Sequence, residues 1–262
     1  MIRRSALTVT VSAAALLACL ALPALSQAPA GQKVRVGVEG NYPPFSKMAP
    51  DGKLSGFDID IALAVCAQMK ADCTLVQQEW DGMMPALAAK KFDMIVASMT
   101  ITEERRKAAD FSDPYYDVPS RWIAKAGAFA DAKPADFKGR KIIVLRNSPR
   151  AKFVAEKYKD SEVLLVAKET DVYLELAAGR GDIAFGSAAV SAEAFLKTPS
   201  GKGYAQVGAP VRLDGGSGVG IAFRKGDDVL REKVNAALKA VKASGQYKKL
   251  ADSYFDFDIS GN

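Results

Sequence analysis

Apolar residues recur along this chain in two rhythms. Residues 33–38 alternate (Lys33, Val34, Arg35, Val36) and end in Gly37-Val38-Glu39-Gly40, which predicts a short strand running into a turn. From Phe57 the period changes. Phe57, Ile61, Val65 and Met69 return every four residues with Ala62 and Cys66 beside them, the buried stripe of a helix. Residues 74–77 read as a strand, Met83, Met84, Leu87 and Ala88 as a helix, and 94–97 as a third strand. That order implies a mostly parallel sheet with ligands at the carboxyl ends of its strands. After Asp113-Pro114-Tyr115-Tyr116 the pattern restarts. Strands are expected at 121–125, 141–145, 163–166 and 182–185, with helices at 151–158, 172–178 and 189–197. Residues 126–139 read as loop, 213–218 are glycine-rich, and 219–223 form another strand. Two helices close the chain, one with Leu230, Val234, Leu238 and Val241, the other with Tyr247, Leu250, Ala251 and Tyr254, separated by Ser244-Gly245.

The first 26 residues break with this pattern. Arg3 and Arg4 precede an almost wholly apolar run from Ala6 to Leu22, and Ala24-Leu25-Ser26 supplies small residues for a signal peptidase. Residues 1–26 are expected to be a cleaved secretory leader, because no other stretch approaches the length that crosses a bilayer. Leu16-Leu17-Ala18-Cys19 also resembles a lipoprotein box, which would make Cys19 a lipid-bearing terminus; the apolar residues 20–25 after it favour simple secretion. Without Arg3 and Arg4 the net charge falls from +6 to +4, and the basic residues are scattered singly, so nucleic acid is not an expected partner.

Cys66 and Cys73 remain after the leader, and in an exported protein such a pair reads as a disulfide, with two buried thiols as the alternative. No histidine occurs anywhere. Two sulfurs without histidine make a poor zinc site, so no metal or cofactor is expected. The usual Ser-His and Cys-His nucleophile pairs are excluded as well, and no catalytic residue is assigned.

Several ordered segments carry a resemblance. They are Asn41-Tyr42-Pro43-Pro44-Phe45, Gly56-Phe57-Asp58-Ile59-Asp60, Trp80-Asp81-Gly82-Met83-Met84-Pro85-Ala86-Leu87, Ser98-Met99-Thr100-Ile101-Thr102-Glu103-Glu104-Arg105, Phe111-Ser112-Asp113-Pro114-Tyr115-Tyr116, Leu176-Ala177-Ala178-Gly179-Arg180-Gly181-Asp182 and Tyr254-Phe255-Asp256-Phe257-Asp258. Together they resemble the periplasmic amino-acid-binding proteins of ABC importers, of the lysine/arginine/ornithine and histidine type. The resemblance implies an α/β, two-lobed periplasmic binding protein fold, type II-like, with two crossover hinge strands near 117–120 and 216–219. Lobe 1 would hold residues 27–118 and 217–262, lobe 2 residues 119–216. The family's disulfide matches Cys66 and Cys73.

The resemblance also distributes roles. Arg105 matches the arginine that forks an α-carboxylate, and a planar guanidinium suits that task. Ser98 and Thr100 precede it and can finish the anion site with hydroxyls and backbone N–H groups; the alternative is a surface Arg105 paired with Glu103 or Asp110. Tyr42 and Trp80 match two aromatic walls for the ligand side chain. Glu39 stands where basic-ligand members carry an acid for a distal cation. The second lobe departs from the pattern. Ser187 stands in place of the aspartate that takes the α-ammonium, no acid follows it until Glu193, and the turn after Leu145 carries Pro149 and Arg150. One anion lost and one cation gained points to a ligand with less positive charge near its α-carbon or with a second carboxylate, as in the opines octopine and nopaline, whose binding proteins resemble this chain at Glu39-Gly40 and Trp80-Asp81-Gly82. An amine held by Ser187, backbone carbonyls and water is the alternative.

The implied function is delivery of an amino acid or a derivative to the membrane permease of an ABC transporter, by a periplasmic monomer that is not an enzyme. Two other classes share the fold: cyclohexadienyl dehydratases, for which Glu39 is the candidate acid, and soluble ligand sensors feeding a receptor.

Overall fold

The computed structural model describes residues 31–213 and 216–260. The leader expected over residues 1–26, with Cys19, therefore lies outside the described residues. The chain opens with β1 (Lys33–Val38), then a small ladder of β2 (Asn41–Tyr42), β3 (Ser46–Met48) and β4 (Leu54–Ser55). Helix α1 (Phe57–Gln68), β5 (Asp72–Gln77), α2 (Met83–Ala88), β6 (Met94–Ile95), β7 (Thr100–Thr102), α3 (Glu103–Ala108) and β8 (Ala109–Phe111) follow. Next come β9 (Ser120–Lys125), β10 (Lys141–Leu145), α4 (Pro149–Lys157), β11 (Glu162–Val166), α5 (Glu169–Ala177), β12 (Ile183–Ser187), α6 (Ala188–Ser191) and β13 (Tyr204–Val211). The chain ends with β14 (Gly216–Val219), β15 (Ala222–Arg224), α7 (Asp228–Ala243) and α8 (Gln246–Tyr254).

These elements build two five-stranded sheets, ordered β5-β1-β6-β15-β8 and β11-β10-β12-β9-β13. The fold is α/β and two-lobed, as the pattern implies, but the sheets are mixed rather than mostly parallel. In each, three strands joined through helices run parallel, while β15 and β8, or β9 and β13, pair antiparallel. A parallel neighbour needs a helical crossover. Strands β9 and β15 follow segments that come from the other sheet, so that constraint does not bind them. Two further readings are corrected. The helix expected over 189–197 is α6 continued by a π-turn at Ala192–Leu196, and the strand expected over 219–223 is divided between β14 and β15.

Helix α1 begins where Gly56 adopts φ 127°, and a Cβ there would meet the Phe45 carbonyl oxygen at 2.4 Å, so only glycine allows the turn into the helix. Its periodic residues Phe57, Ile61 and Val65 are fully buried, each contributing roughly 1.5–3 kcal/mol of burial free energy. Helices α7 and α8 pack on α1. The Tyr247 ring stands edge-on to Phe57 at 5.8 Å, its hydroxyl donates to the Tyr115 carbonyl at 2.5 Å, and Tyr254 donates to Asp60 at 2.7 Å. The second sheet has its own core, where Trp122 stacks on Phe185 at 4.0 Å and abuts Phe137 and Tyr158. Two segments join the sheets. One runs through Tyr116, which bridges Val219 of the returning segment, and Asp117 pairs with Arg212 across them.

Cys66 near the end of α1 is bonded to Cys73 in β5. A loop of this size constrains the unfolded chain by about 2–3 kcal/mol. We expect Cys66→Ser with Cys73→Ser to lower the unfolding free energy by that amount; an unchanged urea midpoint would show that the bridge contributes nothing.

Candidate functional site

The loops at the carboxyl ends of β1, β6 and β10 converge on one small chamber. Glu39, Tyr42, Trp80, Ser98, Thr100, Arg105 and Arg150 all line it, together with Leu145, Ser148 and Pro149. Its free volume is about 10 Å³, room for roughly one water. Small-molecule pockets usually run to about 300–1,000 Å³, so the space as it stands is too small to hold an amino acid. A wider cleft of about 660 Å³ lies outside, between α3 and α4, and shares Arg105, Ser148 and Pro149 with the chamber.

Arg105 sits in the first turn of α3, whose N-cap Thr102 accepts its backbone N–H at 3.2 Å. It pairs with neither Glu103 nor Asp110. Its Nη1 donates to the Thr100 carbonyl at 2.9 Å and its Nη2 to the Asn147 carbonyl at 3.3 Å, and its guanidinium lies 5.1 Å from the centroid of the Trp80 ring. Five N–H donors less these two bonds leave capacity for a carboxylate. Burial, helped by the charge of Arg150, lowers its pKa to about 10, so it stays a cation at neutral pH.

Ser98 holds a left-handed backbone, φ 50°, uncommon outside glycine. Its hydroxyl donates to Asp58 at 2.8 Å and accepts from Tyr116 at 2.5 Å. The hydroxyl expected to finish an anion site is thus already engaged by a carboxylate. Asp58 is fully buried at the start of α1 and also accepts from Tyr115 at 2.7 Å. Burial lifts its pKa to about 6 against those bonds. Glu39, at the end of β1, is buried without a cation bonded to it. Burial pushes its carboxyl up to about 8, and the charges of Glu169, Glu79 and Asp58 push the same way, against Lys168.

Ser187 does not line the chamber, and the anion missing from it in the sequence is present in space. Its backbone N–H donates at 2.8 Å to Glu169, which is fully buried in the first turn of α5. Glu169 also accepts from Tyr173 at 3.1 Å and from Arg150 at 3.0 Å. Arg150 in turn reaches the Tyr42 hydroxyl at 3.2 Å. Burial alone would lower the Arg150 pKa; the Glu169 carboxylate prevails and raises it. The expectation that no acid serves this corner is therefore corrected: Glu169 does, arriving from another element.

Polar contacts cross from lobe to lobe around the chamber. Arg146 and Asn147 after β10 hold Asp81 by the Arg146 side chain at 2.6 Å and the Asn147 amide at 2.7 Å. Lys168 faces Glu79 at 3.7 Å and Lys152 faces Glu104 at 3.5 Å. Among the described residues no group of three or more histidine, cysteine, aspartate and glutamate side chains is placed to hold a metal ion. Nor is any helix among them long and apolar enough to cross a membrane.

Comparison with known proteins accords with this geometry. An L-arginine-binding protein of Pseudomonas aeruginosa is 45% identical over 255 residues, 95% of this chain and 98% of that one. The lysine/arginine/ornithine-binding periplasmic protein of Escherichia coli is 36% identical, covering 97% and 99%. The solved structure of an ancestral arginine-binding protein bound to arginine superposes with a TM-score of 0.78 at 36% identity, covering 85% of this chain and 98% of that one. Residues 34–257 match the model of the bacterial extracellular solute-binding proteins, family 3, and the chain belongs to that family as a solute-binding protein.

Proposed function

We propose that this protein binds a free basic amino acid of the arginine type between its lobes and hands it to the membrane permease of an ABC importer, acting as a periplasmic monomer once residues 1–26 are removed. Residues 31–118 and 217–260 form the first lobe in this reading, 119–213 and 216 the second. The observation that carries it is the chamber itself, which gathers a carboxyl without a bonded cation (Glu39), a guanidinium with donors to spare (Arg105) and two aromatic side chains (Tyr42, Trp80). An α-amino acid with a cationic tail complements that set: carboxylate on Arg105, tail along the rings, cation at Glu39. Thr100 and Ser98 shape the floor beside Arg105. The relatives named for binding arginine, lysine and ornithine support the ligand class, and their being binding proteins supports a role without catalysis.

A second reading draws on Arg150, a further cation in the chamber wall. It would suit an N-carboxyalkyl amino acid such as octopine or nopaline, whose extra carboxylate it could meet. A thermal-shift panel separates the two. L-arginine, L-lysine, L-ornithine and L-histidine are compared with the N-carboxyalkyl compounds, and a solute at 100 times its Kd adds about 2.7 kcal/mol of stability. We expect L-arginine to shift the melting temperature most. A shift confined to the N-carboxyalkyl forms would transfer the assignment to them, and no shift with turnover of prephenate or arogenate would replace the binding role with a dehydratase.

A further inference from the structure

Arg150 and Glu169 make an ion pair that stability does not explain. A buried pair of this kind is often no more stabilising than apolar side chains of the same volume. The geometry is also not the strong one. Both hydrogen bonds of Arg150 come from Nη2, to Glu169 at 3.0 Å and to Tyr42 at 3.2 Å, and its buried Nε has no partner. A forked, two-nitrogen contact would hold a carboxylate better.

The acceptor side, by contrast, is built with care. Glu169 is fixed by the Ser187 N–H and the Tyr173 hydroxyl, which leave its other oxygen facing Arg150. Gly186 makes this possible, because a Cβ there would meet the Tyr173 hydroxyl at 2.1 Å and the Glu169 carboxylate at 2.7 Å. The Tyr42 hydroxyl comes from the opposite lobe, and the Ser187 side chain lies within its hydrogen-bonding reach. One carboxylate oxygen of Glu169 and the Tyr42 hydroxyl are thus the acceptors that Arg150 meets in this slot. An alkylammonium carries three donors and can use both acceptors.

We propose that this slot is the ammonium subsite of the solute chamber, held by the chain's own Arg150 and given over to the solute's ammonium on binding, so that Arg150 competes with the solute instead of contacting it. The proposal rests on the amino-acid reading given above. Its tethered guanidinium bridges the lobes as the solute would, and a solute must displace it from Glu169 before its own ammonium can pair there. The displaced guanidinium passes toward the outer cleft beside Pro149, which both spaces share.

The test compares wild type, Arg150→Ala, and Arg150→Ala with Glu169→Gln. L-arginine affinity is measured by calorimetry, and methylammonium chloride is scored by melting temperature against sodium chloride at equal ionic strength. We expect Arg150→Ala to bind L-arginine at least tenfold more tightly than wild type, and the gain to vanish in the double variant. Methylammonium should stabilise Arg150→Ala and leave the double variant unmoved. An affinity for L-arginine that stays level or falls in Arg150→Ala overturns the proposal, since Arg150 is then a bystander or a direct contact. Should Glu169 without its partner prevent folding, Arg150→Gln, which keeps a neutral donor for it, serves the same comparison. If none of the proteins binds L-arginine or another amino acid, the ligand class proposed above falls, and methylammonium alone decides the slot: a shift in Arg150→Ala that Glu169→Gln removes upholds it, and no shift overturns it.

Discussion

Arg105→Ala weakens the bound amino acid by roughly thirtyfold to several thousandfold, the equivalent of about 2–5 kcal/mol. The range follows from what the substitution leaves behind. A carboxylate enclosed between the lobes has lost its water, and Arg105 is the chamber cation that Glu169 does not already neutralise. Removing it strands a buried charge, which costs more than the pair is worth as an attraction. The Thr100 and Asn147 carbonyls lose a donor too, but the Asn147 bond is exposed and the Thr100 bond only part-buried, so that loss is small beside the first. Arg105→Lys recovers only part of the affinity, because an ammonium cannot keep both carbonyl contacts and still present a planar fork. Calorimetry on the best solute of the panel measures it. Retention within about threefold of wild type would leave the carboxylate to some other donor and return Arg105 to its contacts with Trp80 and Asn147.

The sequence made some of this legible and hid the rest for physical reasons. The apolar run of α1 announces itself because most of the helix is buried, and the start of β1 because Val34 and Val36 are buried while Lys33 and Arg35 are not. Strand β13 does not, since Val207 is its only buried residue and a bulge beside Gly208, at φ 62°, breaks the register. The paired strands β2 to β4 are too short for any period to show. At the chamber, residues next to strand ends were visible because chemistry-bearing types stand where a sheet delivers ligands. Glu169 was not. It precedes the apolar stripe of α5 that begins at Val172, and an acid in a first turn ordinarily faces solvent and the helix dipole. Its partner Ser187 ends strand β12, so only the fold brings the carboxylate to that corner.

Solute affinity rises with pH between 6 and 8 by about fiftyfold and flattens above, with one proton released per solute bound at pH 7. The cause is Glu39. Before binding, its carboxyl titrates at about 8, because burial disfavours the charge and Glu169, Glu79 and Asp58 disfavour it further, with only Lys168 acting the other way. At pH 7 most molecules therefore hold Glu39 neutral. A guanidinium or ammonium placed beside it favours the carboxylate and keeps it ionised across the whole window, so binding expels the proton. Below the free pKa each pH unit costs about tenfold in affinity; above it the carboxylate is already formed and the cost is gone. Asp58 titrates near 6 and enters only at the lower edge of the window. Stability without solute runs the opposite way. The neutral form of Glu39 is the one folding prefers, so its contribution is complete below about 4.5 and lost as pH rises through 8. Glu39→Gln should flatten the affinity profile, abolish proton release and spare solutes without a distal cation. Calorimetry at pH 7 in two buffers of different ionisation enthalpy counts the proton directly. A pH-independent affinity with no proton released would place the solute's cation somewhere other than Glu39.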